Sequence, residues 1–173
     1  PLLQYCIRIV VMGRIICTAN QKGGVGKTTT AITLSASIAV AEKKVLLIDI
    51  DPQGNSTSGM GLRKERAEGT IYQALLRGSG LKEMILKTAL GFLDMVISNN
   101  DLIGAEVELI QEKDREKKLA RLVKEVEADY DFVFIDCPPS LGLLTINSLT
   151  ASHSVIIPLQ CEYYAMVGLG QLL

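Results

Sequence analysis

The chain has 173 residues, of which 48% are hydrophobic and 21% charged, and its formal net charge is −1. These values are typical of one soluble globular domain and exclude an intrinsically disordered chain. They also exclude a protein with an overall basic field for nucleic acid, so any DNA contact would need a local patch.

Residues 1–11 are apolar, but Arg8 interrupts them, and they lack the basic start and cleavage site of a secretion signal. No apolar run in the chain reaches the ~20 residues that span a bilayer. Because Met12 directly precedes the first predicted strand, we expect residues 1–11 to be an N-terminal extension outside the fold. An extra edge strand or a partner-binding arm is the alternative.

A β-like run at 14–19, a glycine-rich stretch at 20–30 and a helical pattern at 31–41 follow one another. Glycines in such a turn adopt backbone angles that other residues avoid, so successive N–H groups can face an anion. The start of the helix adds unpaired N–H groups and a partial positive charge. This order therefore predicts a phosphate-binding loop.

Two lysines distinguish this loop from the ordinary P-loop. Lys27 is expected to reach the β- and γ-phosphates, and the Thr28 hydroxyl to bind Mg²⁺. The ordinary pattern has a glycine five residues before Gly26, where this chain has Gln21, and a second lysine follows at Lys22. A cation there indicates a further phosphate contact; a solvated loop lysine is the alternative.

Two other apolar runs, 45–49 and 130–136, predict strands that are buried on both faces, as in a parallel sheet. The first leads into Asp49 and Asp51, and the second ends at Asp136. Ligands bind at the carboxyl ends of such strands. Asp136 then has the Walker B position, from which it would hold Mg²⁺ through a water; a loop-capping aspartate is the alternative.

The remaining segments alternate between helical and strand patterns. We predict short helices within 56–66 and 69–76, a strand at 92–98, helices at 111–128 and 142–151, a strand at 154–159 and a loop and helix from 160 onward. The charged helix 111–128 has one apolar stripe, so a solvated face is favoured over a DNA patch. The alternation predicts an α/β fold with a mainly parallel sheet and right-handed crossovers.

No metal-binding or catalytic role is predicted for the cysteines or for the histidine. Neither Cys6, Cys17, Cys137 nor Cys161 has metal-ligand spacing, and reduced thiols in a cytoplasmic protein are expected. The single histidine, His153, precedes a strand and is interpreted as an ordinary surface or strand-end residue.

Four blocks in order, NQKGGVGKTTT, LLIDIDPQGNSTSGMG, DFVFIDCPPSLGLLTINSL and PLQCEYYAMVGL, resemble the ParA/Soj branch of the deviant Walker A (MinD/ParA) ATPases, which partition chromosomes and plasmids. The resemblance extends from residue 12 to residue 173. It implies a P-loop NTPase-type three-layer α/β/α domain over 12–173, incomplete at its C-terminus because family members continue with further strands, helices and DNA-contacting basic residues.

The resemblance also assigns roles to residues. It implies that Lys22 reaches the nucleotide of the other subunit in a dimer, that Lys27 is the P-loop lysine, and that Asp51 positions the attacking water. Thr28 and Asp136 become the Mg²⁺ residues. The implied contacts to ATP or ADP are Lys22, Gly23, Gly24, Val25, Gly26, Lys27, Thr28, Thr29, Asp49 and Pro138.

The implied function is an ATP-dependent homodimerisation switch for DNA partitioning, with hydrolysis that stays slow until a ParB-like centromere-binding protein and DNA stimulate it. Its nonspecific DNA contacts would lie largely in the C-terminal part that is missing here. The expected location is cytoplasmic and nucleoid-associated, and no membrane partner is expected.

Two alternatives belong to other functional classes. A MinD-like, membrane-associated spatial regulator would carry a C-terminal amphipathic helix, but the motif at 51–55 and the block at 160–169 argue against it. A reductase or cluster carrier resembling the nitrogenase iron protein needs paired cysteines at a dimer interface. Cys137 and Cys161 flank the switch regions, but neither is in a cluster-ligand context.

Overall fold

A six-stranded sheet forms the centre of the computed structural model, which describes residues 13–63 and 69–159. The strands are β1 (Arg14–Thr18), β2 (Val45–Asp49), β3 (Ile85–Lys87), β4 (Leu93–Val96), β5 (Phe132–Asp136) and β6 (Ser154–Ile156), in the order β3-β4-β2-β5-β1-β6. Every neighbouring pair is parallel except β3 and β4. The predictions for 1–11 and from 160 onward, with Cys6 and Cys161, lie outside the described residues.

The helices lie on both faces of this sheet. They are α1 (Lys27–Val40), α2 (Asn55–Gly59), α3 (Ile71–Leu76), α4 (Leu102–Ile110), α5 (Lys118–Lys124) and α6 (Leu143–Ala151), with 3-10 turns at Leu81–Met84, Arg115–Lys117 and Glu127–Asp129. One buried hydrophobic cluster packs α1 against one face of the sheet. A second cluster packs α3, α4, α5 and α6 against the opposite face. Successive residues of the central strands enter opposite clusters, since Leu46 belongs to one and Leu47 to the other. The predicted three-layer α/β/α architecture is confirmed.

Strand register brings three polar side chains into one row. β5 lies between β1 and β2, and Asp136 is aligned with Thr18 on one side and with Asp49 on the other. All three residues are fully buried. Because these three residues end parallel strands, the row lies at the carboxyl edge of the sheet, where α/β proteins bind ligands.

The helix predicted over 111–128 is shorter and broken. Asp114 has a φ of +52°, and the helix proper begins only at Lys118. A buried amide on α6 fills the break: the Asn147 side chain accepts from the Leu119 N–H at 3.1 Å and donates to the Arg115 carbonyl at 2.7 Å. The predicted apolar stripe nevertheless faces the core, where Leu119 and Val123 are fully buried.

Two elements were not predicted, α4 and β3. Helix α4 buries Leu102, Ala105 and Leu109, a helical spacing that the sequence contains. Strand β3 has three residues and pairs antiparallel with β4. So short a strand depends on its tertiary partner and has little pattern of its own.

Candidate nucleotide-binding site

The glycine-rich loop connects β1 to α1 and leaves an open space above it. Gly24 and Gly26 have φ of +74° and +92°, in the left-handed region that favours glycine. Gly26 is the residue before α1, and no side chain caps that helix. The first N–H groups of α1 can therefore donate to an anion that lies on the loop.

A cavity of about 300 Å³ lies on this loop. Its lining is contributed by the loop, by the start of α1 and by the segments that follow β2 and β5, namely Gly23, Gly24, Gly26, Lys27, Thr28, Thr29, Asp51, Asn55 and Pro139. The volume is in the range of small-ligand pockets. Six of the predicted nucleotide contacts and the predicted water-positioning aspartate thus share one cavity.

Lys27 is nearly buried, with 7% of its surface exposed, and its Nζ donates to the Lys22 carbonyl at 3.0 Å. Burial lowers the pKa of Lys27, and the nearby carboxylates of Asp136 and Asp51 oppose that shift. The Lys27 side chain therefore extends across the loop, and acidic side chains lie near its ammonium group. The positive charge of this ammonium would complement the negative charge of a bound phosphate.

Lys22 lies at the exposed side of the loop. Its backbone N–H donates to the Asn20 side chain at 3.0 Å, and the amide of Asn20 donates to the Pro158 carbonyl at 2.8 Å. Asn20 thereby ties the loop to the segment that follows β6. Sequence reasoning gave Asn20 no role of its own, although it is the first residue of the loop stretch at 20–30.

Asp136 is held from three sides. Its Oδ1 accepts from the Thr18 hydroxyl at 3.2 Å and its Oδ2 from the Ser56 hydroxyl at 2.6 Å, while Thr28 also contributes a hydrogen bond. Burial raises the pKa of Asp136, and these hydrogen bonds partly offset the increase. Ser56 was also missed, because nothing in its local pattern indicates a bond to a residue 80 positions away.

The donor set around Thr28 and Asp136 fits Mg²⁺, which binds oxygen ligands and takes only one or two carboxylates besides phosphates and water. Among the described residues, no group of three or more His, Cys, Asp or Glu side chains could hold a metal by itself. Phosphate oxygens and water would supply the remaining ligands of a magnesium ion held there.

Asp49 is fully buried and does not line the phosphate-loop cavity. Its Oδ2 accepts from the Thr57 N–H at 2.8 Å and hydroxyl at 2.7 Å, and its Oδ1 accepts from the Asp51 N–H at 3.1 Å. Burial raises the pKa of Asp49 to about 7. Both oxygens thus bind the segment that carries Asp51, and the predicted nucleotide contact of Asp49 stays a prediction.

A second cavity of about 290 Å³ adjoins the first and shares Asp51 and Pro139 with it. Pro138, predicted as a nucleotide contact, lines this second cavity, whereas Pro139 lines both. Val25 is not among the residues that line either one. Asp51 therefore stands at the boundary between the phosphate loop and a cavity bounded by α4.

Cys17 and Cys137 are free thiols within the core, as predicted. His153 accepts the Ile15 N–H on its Nδ1 at 3.1 Å beside the start of β6, consistent with a strand-end role. No helix in residues 13–63 or 69–159 is long and apolar enough to span a membrane.

A family model described as an AAA domain matches residues 13–173. The chain is 56% identical over 161 residues to the chromosome partitioning protein ParA of Myxococcus xanthus, covering 93% of this chain and 57% of that protein. It is 53% identical over 162 residues to the sporulation initiation inhibitor protein Soj of Bacillus subtilis, covering 94% and 64%. The chain thus spans about three-fifths of the length of these relatives.

Among solved structures, a Mycobacterium smegmatis protein described as cobyrinic acid a,c-diamide synthase, with bound ADP and magnesium, matches with a TM-score of 0.88 and 42% identity. The match covers 93% of this chain and 65% of that one. Its name differs from those of the two relatives. From the family match and the two relatives, the chain belongs to the ParA/Soj family of ATPases.

Proposed function

We propose that this chain is the nucleotide-binding domain of an ATP-driven dimerisation switch that partitions a chromosome or plasmid. The observation that carries the proposal is the single cavity in which Lys27, Thr28 and Asp51 meet beside the buried Asp136. Membership of the family and the names of the relatives support the same function. The domain is proposed to begin at residue 12 and residues 1–11 to precede it; the family match, which begins at residue 13, supports this division.

ATP is proposed to bind with its phosphates on the loop. The backbone of residues 23–29 donates to the phosphate oxygens, and Lys27 neutralises charge at the β- and γ-phosphates. Thr28 and Asp136 are proposed to hold Mg²⁺, which supplies positive charge to the phosphates when bound. The bound nucleotide and magnesium of the M. smegmatis protein support this assignment.

Hydrolysis is proposed to depend on Asp51, which orients a water towards the γ-phosphorus. A bond forms between the water oxygen and phosphorus, the bond from phosphorus to the ADP oxygen breaks, and the proton of the water passes to phosphate or solvent. Lys22 of one subunit is proposed to reach the γ-phosphate in the other, stabilising the charge of the transition state. Because that contact needs two subunits, turnover by a single subunit is proposed to be slow.

The proposed partners are a second copy of the chain, a ParB-like centromere-binding protein and nonspecific DNA on the nucleoid. DNA contacts are proposed to lie largely outside residues 13–159.

A MinD-like membrane regulator is the second hypothesis, but neither the family match nor the relatives support it better than partitioning. The iron-protein-like reductase is the least supported.

The test uses the full-length gene product with Asp51→Ala, so that bound ATP is retained. Its mass is measured by light scattering with and without ATP and Mg²⁺, and then with nonspecific duplex DNA. A monomer that becomes a dimer with ATP and loads onto DNA supports the partitioning switch. A dimer that ignores DNA but sediments with anionic lipid vesicles supports the MinD-like alternative. A mass that does not respond to nucleotide contradicts the roles of Lys22 and Asp51.

A further inference from the structure

The backbone on both sides of Asp51 is held by buried side chains. Its N–H donates to Asp49 Oδ1 at 3.1 Å, and its carbonyl accepts a hydrogen bond from the Ser98 hydroxyl. Ser98 comes two residues after β4 and is fully buried. The aspartate proposed to orient water is therefore tied to a strand that contributes nothing to the phosphate loop.

A second connection closes these bonds into a ring. The Ser98 N–H donates to Thr57 Oγ1 at 3.1 Å, and the same Thr57 hydroxyl donates to Asp49 Oδ2 at 2.7 Å. The ring thus runs from Asp51 through Ser98, Thr57 and Asp49 back to Asp51. None of these four residues is more than 5% exposed. Buried networks in which each member is satisfied are rigid.

The position of the Asp51 carboxylate depends on this ring. Its Oδ1 accepts from the Gln53 N–H at 2.9 Å, a bond within its own turn that does not fix the turn relative to the sheet. The bonds to Asp49 and Ser98 do so, because both residues belong to or follow strands. A catalytic group that is displaced by ~1 Å can lose on the order of 100-fold in rate.

We propose that Ser98 is a positioning residue for ATP hydrolysis, acting through Asp51 and supported by Thr57. This inference rests on the proposed function, in which Asp51 orients the water. Ser98 does not line the phosphate-loop cavity. Its hydroxyl therefore affects turnover and leaves nucleotide affinity unchanged.

The test compares Ser98→Ala with wild type in the full-length gene product, measuring kcat and KM for ATP in the presence of Mg²⁺ and nonspecific duplex DNA. We expect kcat to fall at least about tenfold and KM to stay within about twofold. Ser98→Thr retains the donor and should recover part of kcat. The affinity for a fluorescent ATP analogue, measured separately, should be unchanged.

Ser148→Ala is the matched control. Ser148 is also fully buried and its hydroxyl also donates to a backbone carbonyl, that of Leu144 at 2.9 Å, but it makes no bond to the ring. An equal loss of kcat in both variants would mean a general structural effect and would overturn the proposal. So would wild-type kcat in Ser98→Ala.

A second pair covers the case in which Ser98→Ala does not fold. Thr57→Val keeps the shape of the side chain and removes the hydroxyl, whereas Thr57→Ser keeps the hydroxyl. We expect a lower kcat in the first only, and equal values would overturn the positioning role. A wild-type protein that hydrolyses no ATP under these conditions, and none after a ParB-like centromere-binding protein is added, would instead refute the proposed function, and this inference with it.

Discussion

Asp49 and Asp136 are aligned opposite each other in the parallel register of β2 and β5, and both are fully buried. Both carboxylates accept hydrogen bonds from hydroxyl or N–H donors: from Thr57 and the Asp51 N–H for Asp49, and from Thr18 and Ser56 for Asp136. Two adjacent buried carboxyl groups disfavour their charged forms through desolvation and mutual repulsion. The site is therefore expected to be sensitive to pH and to cations.

The first prediction concerns folding stability without nucleotide. Burial raises the pKa of Asp49 to about 7 from an ordinary value of 3.8, so between those values the folded protein keeps a proton that the unfolded chain releases. The contribution of Asp49 to the free energy of unfolding is then greatest at low pH and declines as pH rises through this window. Urea unfolding at several pH values, compared with Asp49→Asn, should show the smaller decline in the variant. Parallel curves would contradict the raised pKa.

The second prediction concerns Lys27→Ala. The nearly buried ammonium meets the phosphates without competition from bulk water, so its removal should weaken ATP binding at least tenfold, since a charge-assisted bond contributes about 1.5–3 kcal/mol. Calorimetric titration with ATP and Mg²⁺ measures this. The exposed lysine variant Lys117→Ala is the control and should bind as wild type. Tight binding by Lys27→Ala would refute the loop assignment.

The third prediction separates the two loop lysines. Lys22→Ala should still bind ATP, because Lys22 is exposed at the edge of the loop, but it should lose the ATP-dependent dimer. Light scattering in the Asp51→Ala background measures this, with Lys43→Ala as an exposed-lysine control. A dimer that persists without Lys22 would remove its bridging role.

Most residues of the candidate site could be proposed from the sequence because they lie in contiguous motifs. The loop at 20–30 and the strand ends at Asp49 and Asp136 contain their own pattern, and the structure places them at one edge. Ser56 and Ser98 could not be predicted, since each acts through a bond to a residue far along the chain. The broken helix at 111–128 has the same cause, because the partner that splits it is a side chain of α6.

The last prediction tests that break. The side chain of Asn147 is fully buried. It donates to the Arg115 and Leu143 carbonyls at 2.7 and 2.9 Å and accepts from the Leu119 N–H at 3.1 Å. Asn147→Ala leaves the Arg115 carbonyl and the Leu119 N–H without this partner, and an unsatisfied buried group costs about 1–3 kcal/mol. We expect the free energy of unfolding to fall by about 2–4 kcal/mol in urea titrations. Asn100→Ala, at an exposed position, should change the free energy of unfolding little.

Because Asn147 is not in the lining of the phosphate-loop cavity, KM for ATP should stay at its wild-type value under conditions in which the variant is folded. A loss of stability no larger than that of Asn100→Ala would show that the backbone at 115–119 finds other partners.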